Sequence, residues 1–529
     1  MQPSALAKVL ILTAFAAWFF SILLIPVIRW GACRIGLVDR PDPTRKLHRG
    51  EIALAGGLAI FVSGLITMLV VQRSIIPTYS AEMLAWGDRW LGLLFASLAM
   101  VVLGVIDDRY NLRGKHKLLG QIAIVSGLAY VWQPTGQVSL FGWDVGLGSM
   151  TYPVLVFWLL ATINAVNLID GADGAAGSFG LVAAAGISLC AFITGQQEVA
   201  IVAAALGASL AGFLCFNRPP ASIFLGDSGS MLLGLVLGTL ACWSVHRGKE
   251  SQDLLIPIAL LGVPLFDSLV AVMRRVLTGR SIYTADRGHL HHTLQAHFKA
   301  KTLSPMWMII AFGGLSLLTS SGAIVGILFR SDFLALMAIL ILMLGLMWTK
   351  IFGHAEARLL ASHTLRMSDS FVSKVRRMEP KVHVSGVPLQ GNREWDGVWQ
   401  PLVEFAEKNG LWRMKLDLNM PWQHEGYHGV WARGEMPDKS EQWTVRIPIF
   451  CQERSIGRLE IIGRSEGNCQ IQSLESFSFL INELQPEIER MVQCLTPAKD
   501  SQEAVAKQPK TKETTEDRRK KRVRIAAAE

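Results

Sequence analysis

Three acidic clusters sit where apolar runs of this chain end: Asp107-Asp108, Asn167 to Asp173, and Phe224 to Ser230. They read D-D-R-Y-N-L, N-A-V-N-L-I-D-G-A-D-G and F-L-G-D-S-G-S. Ionisable groups beside hydrocarbon are costly, so their default reading is a functional site. Two adjacent carboxylates repel each other unless a cation or a base function separates them, so Asp107-Asp108 suits Mg2+ or proton transfer. A solvated helix end balanced by Arg109 and Arg113 is the alternative. Asn164, Asn167, Asp170 and Asp173 recur at intervals of three, which lines them along one face of a helical turn. Gly171, Gly174 and Gly177 permit close approach and a break in the helix. Carboxamide and carboxylate oxygens are hard ligands of the Mg2+ type, and Mg2+ usually binds with help from substrate phosphates. A structural polar stripe between helices is the other reading. In the third cluster, amides at a helix start and nearby hydroxyls favour phosphate, and Asp227 among them fits a cation bridging to it. Taken alone, G-D-S-G is a weak string, and no His/Asp arrangement supports a serine protease.

A fourth element, Pro264 to His292, ends in R-G-H-L-H-H. His289, His291 and His292 lie beside Arg274, Arg275, Arg280 and Arg287, a set able to clamp a diphosphate. A transition-metal site on the three His, or a solvated loop, are the rival readings.

These groups must be held by membrane-spanning elements. The chain has 529 residues, 51% hydrophobic and 18% charged, with 16 Trp and 48 Gly, as suits a polytopic membrane protein. A helix needs about 20 apolar residues to span the hydrocarbon core. That length predicts eleven spans, at 5–28, 53–72, 90–106, 117–133, 152–169, 177–194, 198–215, 229–246, 253–272, 306–329 and 332–352. The first is too long for a secretory signal and lacks a small-x-small cleavage site. Alternate loops carry 17 Lys and Arg against 5 in the opposite set, so the first set is expected to face the cytoplasm. All the acidic clusters and the His-rich loop fall on that side. The seven cysteines show no C-x-x-C spacing and read as bystander thiols.

Together these motifs, with the early L-V-D-R-P-D-P-T-R-K-L-H-R-G-E-I-A-L-A-G-G stretch, resemble the polyprenyl-phosphate N-acetylhexosamine-1-phosphate transferases. The resemblance covers roughly residues 29–305, and the eleven-span layout agrees with the family's. R-G-H-L-H-H is similar to the WecA- and TagO-like branch that handles simple UDP-N-acetylhexosamines, whereas MraY-type enzymes carry consecutive His there. The resemblance implies transfer of N-acetylhexosamine 1-phosphate from a UDP-sugar to undecaprenyl phosphate, with Mg2+ (or Mn2+) and release of UMP. By motif, Asp107 becomes the base acting on the lipid phosphate, with Asp108 beside it. Asp227 and Asn167 become Mg2+ ligands, and Asp170 supports that centre. Asp173 and Asn217 fall to the uridine, and His289, His291 and His292 to phosphate or sugar. Arg287 and Lys46 are further substrate contacts. Some relatives carry a third acid three residues after the acidic pair; here Asn111 stands in its place.

The expected fold is therefore a polytopic α-helical membrane protein, with a multi-pass place in the bacterial inner membrane and a C-terminal cytoplasmic α+β domain. Residues 1–353 form the transferase domain, 354–394 a juxtamembrane helix and linker, 395–496 a module faintly like GAF sensors, and 497–529 a disordered basic tail. Within the module, a helix at 395–408, a strand at 411–418, a hairpin through Trp443 to Ile449 and I-G-R-L-E-I-I-G, and a helical stripe at 474–484 are expected. The net charge of +9 fits anionic lipid without a nucleic-acid partner. A homodimer and a regulatory partner of the module are compatible with the sequence. An ion-coupled transporter is disfavoured, because its acids would lie near the midplane in repeated halves. Deleting residues after Gly353 is expected to leave the chemistry largely intact.

Overall fold

The computed structural model describes residues 2–40, 50–79, 87–134, 136–247, 251–281, 288–376, 382–391, 393–423, 425–433, 441–451, 454–464 and 469–493. It divides into two compact units, Met1–Ser368 and Asp369–Glu529.

The first unit is helical. Helix α1 (Pro3–Ile35) is followed by short strands β1 (Val38–Asp39) and β2 (Ile52–Leu54), then α2 (Gly56–Val70), which runs through a π-turn into α3 (Ile76–Tyr79). Next come α4 (Asp88–Tyr110), α5 (Gly114–Trp132), the hairpin β3 (Gln137–Leu140) and β4 (Trp143–Gly146), α6 (Thr151–Ile169), α7 (Ala175–Thr194) and α8 (Gln197–Asn217). Strand β5 (Ile223–Phe224) leads into α9 (Gly226–Trp243), then β6 (His246–Arg247), β7 (Ser251–Asp253), α10 (Leu255–Leu260) and α11 (Gly262–Thr278). Helices α12 (Leu290–Ala300), α13 (Trp307–Leu328), α14 (Asp332–Trp348) and α15 (His354–Arg376) complete the run.

Among the described residues, seven stretches are long and apolar enough to cross a membrane: Pro3–Ile35, Gly56–Ile75, Asp88–Tyr110, Gly148–Ile169, Ala175–Thr194, Gln197–Asn217 and Trp307–Leu328. Asp332–Trp348 is apolar but shorter. This is a multi-pass membrane protein, but the described helices meet that measure seven times rather than the expected eleven. The shortfall has local causes. Helix α5 opens on Gly114, Lys115, His116 and Lys117, which dilute its apolar run. The expected span 253–272 is broken at Leu261, between α10 and α11, three residues before Pro264, which has no N–H to donate. Helix α9 carries Asp227 and several Ser and Gly, yet nearly all of it is buried.

That burial makes α9 the centre of the unit. It packs against α2, α4, α6 and α7, so its outward surface meets protein rather than lipid. Small residues allow the approach. A Cβ on Gly104 of α4 would fall on the Ser228 backbone, and one on Gly57 of α2 would fall on Gly229. Strands β1, β2 and β5 form a three-stranded sheet in which β2 and β5 run parallel, Ala53 opposite Ile223 and Leu54 opposite Phe224. With the Gly57 N–H donating to the Leu225 carbonyl at 3.0 Å, this sheet fixes where α9 begins. At the other end of the bundle lies a sheet of order β4-β3-β7-β6. Near it, Arg89 pairs with Glu198 at 3.0 Å and Trp243 meets Trp90 and Trp132 edge-on.

The second unit is α+β. Its five-stranded antiparallel sheet has β8 (Val382–Gln390), β9 (Arg413–Met420), β10 (Glu425–Arg433), β11 (Gln442–Cys451) and β12 (Arg454–Arg464) in the order β11-β12-β9-β10-β8. Helices α16 (Asp396–Lys408) and α17 (Cys469–Gln493) supply Trp399, Leu402, Leu484 and Ile488 to a core with Leu416, Leu418, Tyr427 and Trp431. The expected helix, strand, hairpin and terminal helix are all present within a few residues of their expected places. Strand β10 was not foreseen, and β8 lies within the stretch expected as linker.

Candidate active site

The ends of α4 and α6 and the beginnings of α5 and α9 meet at one end of the bundle, and each brings a polar side chain. Helix α4 closes on Asn111, at φ 52°, a left-handed conformation that Asn tolerates better than most residues. The tight closure lets the Leu112 N–H donate to Asp107 Oδ1 at 2.9 Å. Asn111 thus ends the helix, a role that asks for no carboxylate.

Lys117, one residue turn into α5, is the hub. Its ammonium lies 2.9 Å from Asp107 Oδ2, 3.0 Å from Asp227 Oδ1 and 3.3 Å from Asn167 Oδ1. Asn167 in turn donates to Asp227 Oδ1 at 2.5 Å and to Ser230 Oγ at 2.8 Å. Four side chains from four helices, drawn from a stretch of more than 100 residues, therefore form one polar cluster. Lys117 was absent from the sequence-derived set. The signal was a charged residue standing at the mouth of an apolar run, which is costly there without a partner.

Asp108 points elsewhere. Its two oxygens accept the N–H groups of Asp227 at 2.9 Å and Ser228 at 3.2 Å, so it caps the amino end of α9. This alters two expectations. Asp108 is a positioning residue for Asp227, and those two amides are already occupied rather than open to phosphate. Gly226 has φ 74° at this junction, and a Cβ there would press on the Asp108 carboxylate.

Asp170 sits just past the end of α6. Burial, then the like charges of Asp227, Asp108 and Asp173, hold its carboxyl well above the usual carboxylate range. Asp173 accepts the Ala221 N–H at 3.0 Å. Asn217 accepts the Gly174 N–H at 3.0 Å and donates to the Ile223 carbonyl at 2.9 Å, bracing the loop after α6 against β5. Asn164 lies off the cluster and donates to Gln121 at 2.9 Å, a link between α5 and α6.

The histidines join from the far side. Asp267 of α11 is fully buried; its Oδ2 is 3.2 Å from His289 Nδ1, and its Oδ1 accepts the Leu290 N–H at 2.9 Å. His289 and His291 stack at 6.1 Å between centroids, and His292 lies 4.0 Å from His291. His291 rests on Gly171, next to Asp170; a side chain at Gly171 would strike its imidazole. Burial, then His292 and His289, hold the His291 imidazole well below its ordinary range, so it is neutral. Its Nδ1 is buried with no hydrogen-bond partner among the described residues. Asp267 falls within the Pro264 to His292 element and, like Lys117, is a charged residue of which no role was expected. Lys46 and Arg287 lie outside the described residues.

Among the described residues, no group of three or more His, Cys, Asp or Glu converges closely enough to hold a metal ion unaided. The donors are nevertheless hard oxygens with more negative charge than Lys117 offsets. Such a set fits Mg2+, which takes one or two carboxylates and completes its shell with water and substrate phosphate.

A family model described as glycosyl transferase family 4 matches residues 90–245, a stretch containing Asp107, Asp108, Lys117, Asn167, Asp170, Asn217 and Asp227. A probable undecaprenyl-phosphate N-acetylglucosaminyl 1-phosphate transferase of Bacillus subtilis is 33% identical over 293 residues, 54% of this chain and 77% of the relative. A decaprenyl-phosphate N-acetylglucosaminephosphotransferase of Mycobacterium tuberculosis is 31% identical over 324 residues, 55% of this chain and 78% of its own. A phospho-N-acetylmuramoyl-pentapeptide-transferase of Moorella thermoacetica is 32% identical over 300 residues, 54% of this chain and 91% of its own. The chain belongs to glycosyl transferase family 4.

Proposed function

We propose that this protein transfers N-acetylhexosamine 1-phosphate from a UDP-sugar to undecaprenyl phosphate at the cytoplasmic face of the bacterial inner membrane, releasing UMP. The observation that carries the reading is the Asp107–Lys117–Asp227–Asn167 cluster at the membrane-helix ends. A polar, hard-oxygen site at that depth suits a lipid phosphate meeting a nucleotide diphosphate. GlcNAc is the favoured donor sugar, since the Bacillus and Mycobacterium relatives are named for it. GalNAc, a deoxy N-acetylhexosamine or MurNAc-pentapeptide are the alternatives.

In this reading Asp107, oriented by the Leu112 N–H, takes the residual proton of the lipid phosphate, whose second ionisation lies near neutral pH. Lys117 neutralises charge between the attacking and receiving phosphates, and its two carboxylate partners keep it from drifting away. Asp227 and Asn167 would hold Mg2+, which supplies polarisation of the diphosphate and further charge neutralisation. Asp108 fixes the start of α9 and so the place of Asp227. His289, oriented by Asp267, and neutral His291 present imidazole nitrogens to the phosphate or sugar. Direct attack is favoured over a covalent enzyme intermediate, because an anionic phosphate needs alignment and neutralisation more than a second nucleophile. An apolar groove of about 450 Å³ runs between α4 and α5, lined by Gly92, Ala96, Ala99, Ala123 and Gly127, in the half of those helices remote from Asp107 and Lys117, where the far part of a long prenyl chain would fit.

The test is UMP release by the purified full-length protein with undecaprenyl phosphate, Mg2+ and a panel of UDP-N-acetylhexosamines. Release that requires lipid, metal and one sugar is expected, and chelation should stop it reversibly. Silence across a wide panel from folded protein would overturn the reading.

A further inference from the structure

Arg274 is a charged side chain that this chemistry does not use, and it is only 2% exposed. It lies on α11 two turns after Asp267, hence on the same face. Its Nη2 donates to the Gly288 carbonyl at 2.9 Å, and its Nε donates to Glu356, which is also 2% exposed. Glu356 belongs to the first turn of α15, beyond the last apolar helix. A Cβ on Gly288 would overlap the Arg274 guanidinium, so the arginine lies directly on the backbone of the histidine turn. One face of α11 thus grips that turn twice, through Asp267 on His289 and Leu290, and through Arg274 on Gly288.

We propose that Glu356 and Arg274 are positioning residues for the histidine turn, which makes the segment entering the C-terminal unit a working part of the transferase half. The guanidinium has a planar fork, so one edge can face Glu356 while another reaches the Gly288 carbonyl. Without an acceptor at position 356 the Nε loses this hydrogen bond, and the fork no longer holds its angle on the Gly288 carbonyl. The positioning claim stands on the geometry alone; its bearing on turnover rests on the transferase reading.

Histidine accessibility tests it in full-length protein without recourse to activity. Diethyl pyrocarbonate acylates neutral imidazole, and His289 and His291 are each 4% exposed, so both are expected to react slowly in the wild type. The variant Arg274→Met with Glu356→Leu replaces a buried ion pair by apolar groups, an exchange that commonly preserves stability. Site-resolved labelling of His289 and His291 is expected to quicken about tenfold there, as when one charge-assisted hydrogen bond no longer opposes local opening. Arg274→Lys keeps a charge opposite Glu356 but lacks the fork, and is expected to quicken labelling similarly. Glu356→Gln retains an acceptor for Nε and should stay near wild type. Turnover should fall in the two fast-labelling variants and hold in Glu356→Gln. Unchanged labelling in whichever of the two Arg274 variants keeps its thermal transition would overturn the proposal. Altered labelling in a protein that releases no UMP would sustain it while removing the transferase reading.

Discussion

Lys117 touches Asp107, Asp227 and Asn167 at once, so its removal leaves two carboxylates facing each other without a counter-charge. Lys117→Met should lower kcat by about 10²–10³-fold, the range for losing one preorganised electrostatic partner. Activity within a few-fold of wild type would remove Lys117 from the site. Asp107→Asn and Asp227→Asn should each abolish turnover in folded protein, measured as UMP release against an unchanged thermal transition. Asp108 should behave differently, because its oxygens serve the amides of Asp227 and Ser228. Asp108→Ala should cost about 1 kcal/mol of stability as a lost cap, with Asn nearer wild type. Equal thermal transitions for the two variants would contradict the capping role. At this scale much was legible: Asp107, Asn167 and Asp227 stand out because carboxylates and carboxamides at helix ends are expensive without a task. The division of labour between adjacent Asp107 and Asp108 was not legible. It depends on which way each faces, and that is set by α9, over 100 residues away.

Helix α9 shows how a helix expected as a span can fall short of the measure for crossing a membrane. It is polar at its beginning, rich in Gly, and screened from lipid by α2, α4, α6 and α7, so it needs little apolar surface of its own. Its position is set by contact with glycines on its neighbours, which also sets the reach from Asp227 to Lys117. Gly104→Val would force α4 and α9 apart at Ser228. It should therefore lower both thermal stability and kcat, the usual cost of overpacking being about 1–3 kcal/mol. Normal activity from this variant would show that α4 and α9 can separate without harm to the site. The sequence marked Gly104 only by abundance, because close packing is a property of the pair of helices and not of either run. The break at Leu261 was similarly hidden within a continuous apolar stretch.

The transferase half extends past its last apolar helix. Contacts place the boundary of the first unit at Ser368, and Glu356 lies inside it, paired with buried Arg274. A chain ending at Gly353 would take Glu356 away from that arginine, and losing one partner of a buried ion pair costs about 3–5 kcal/mol. It should lose activity and stability, whereas a chain ending at Ser368 should keep both; equal behaviour of the two would argue against a role for Glu356. The expectation of a harmless cut at Gly353 did not include this pair, because a buried counter-ion cannot be seen in a charge pattern. The C-terminal fold was partly legible from alternation in β11 and β12 and the stripe on α17. Strands β8 and β10 were missed, since β10 is buried on both faces and shows no alternation. Which bond of the nucleotide sugar breaks separates phosphoryl from glycosyl transfer. The most direct measurement follows a UDP-N-acetylhexosamine radiolabelled on its β-phosphorus, incubated with full-length protein, undecaprenyl phosphate and Mg2+. The expected result is label in the lipid fraction with unlabelled UMP in the water phase. Label remaining in water as UDP while the sugar moves to lipid would mean glycosyl rather than phosphoryl transfer, and would contradict the account.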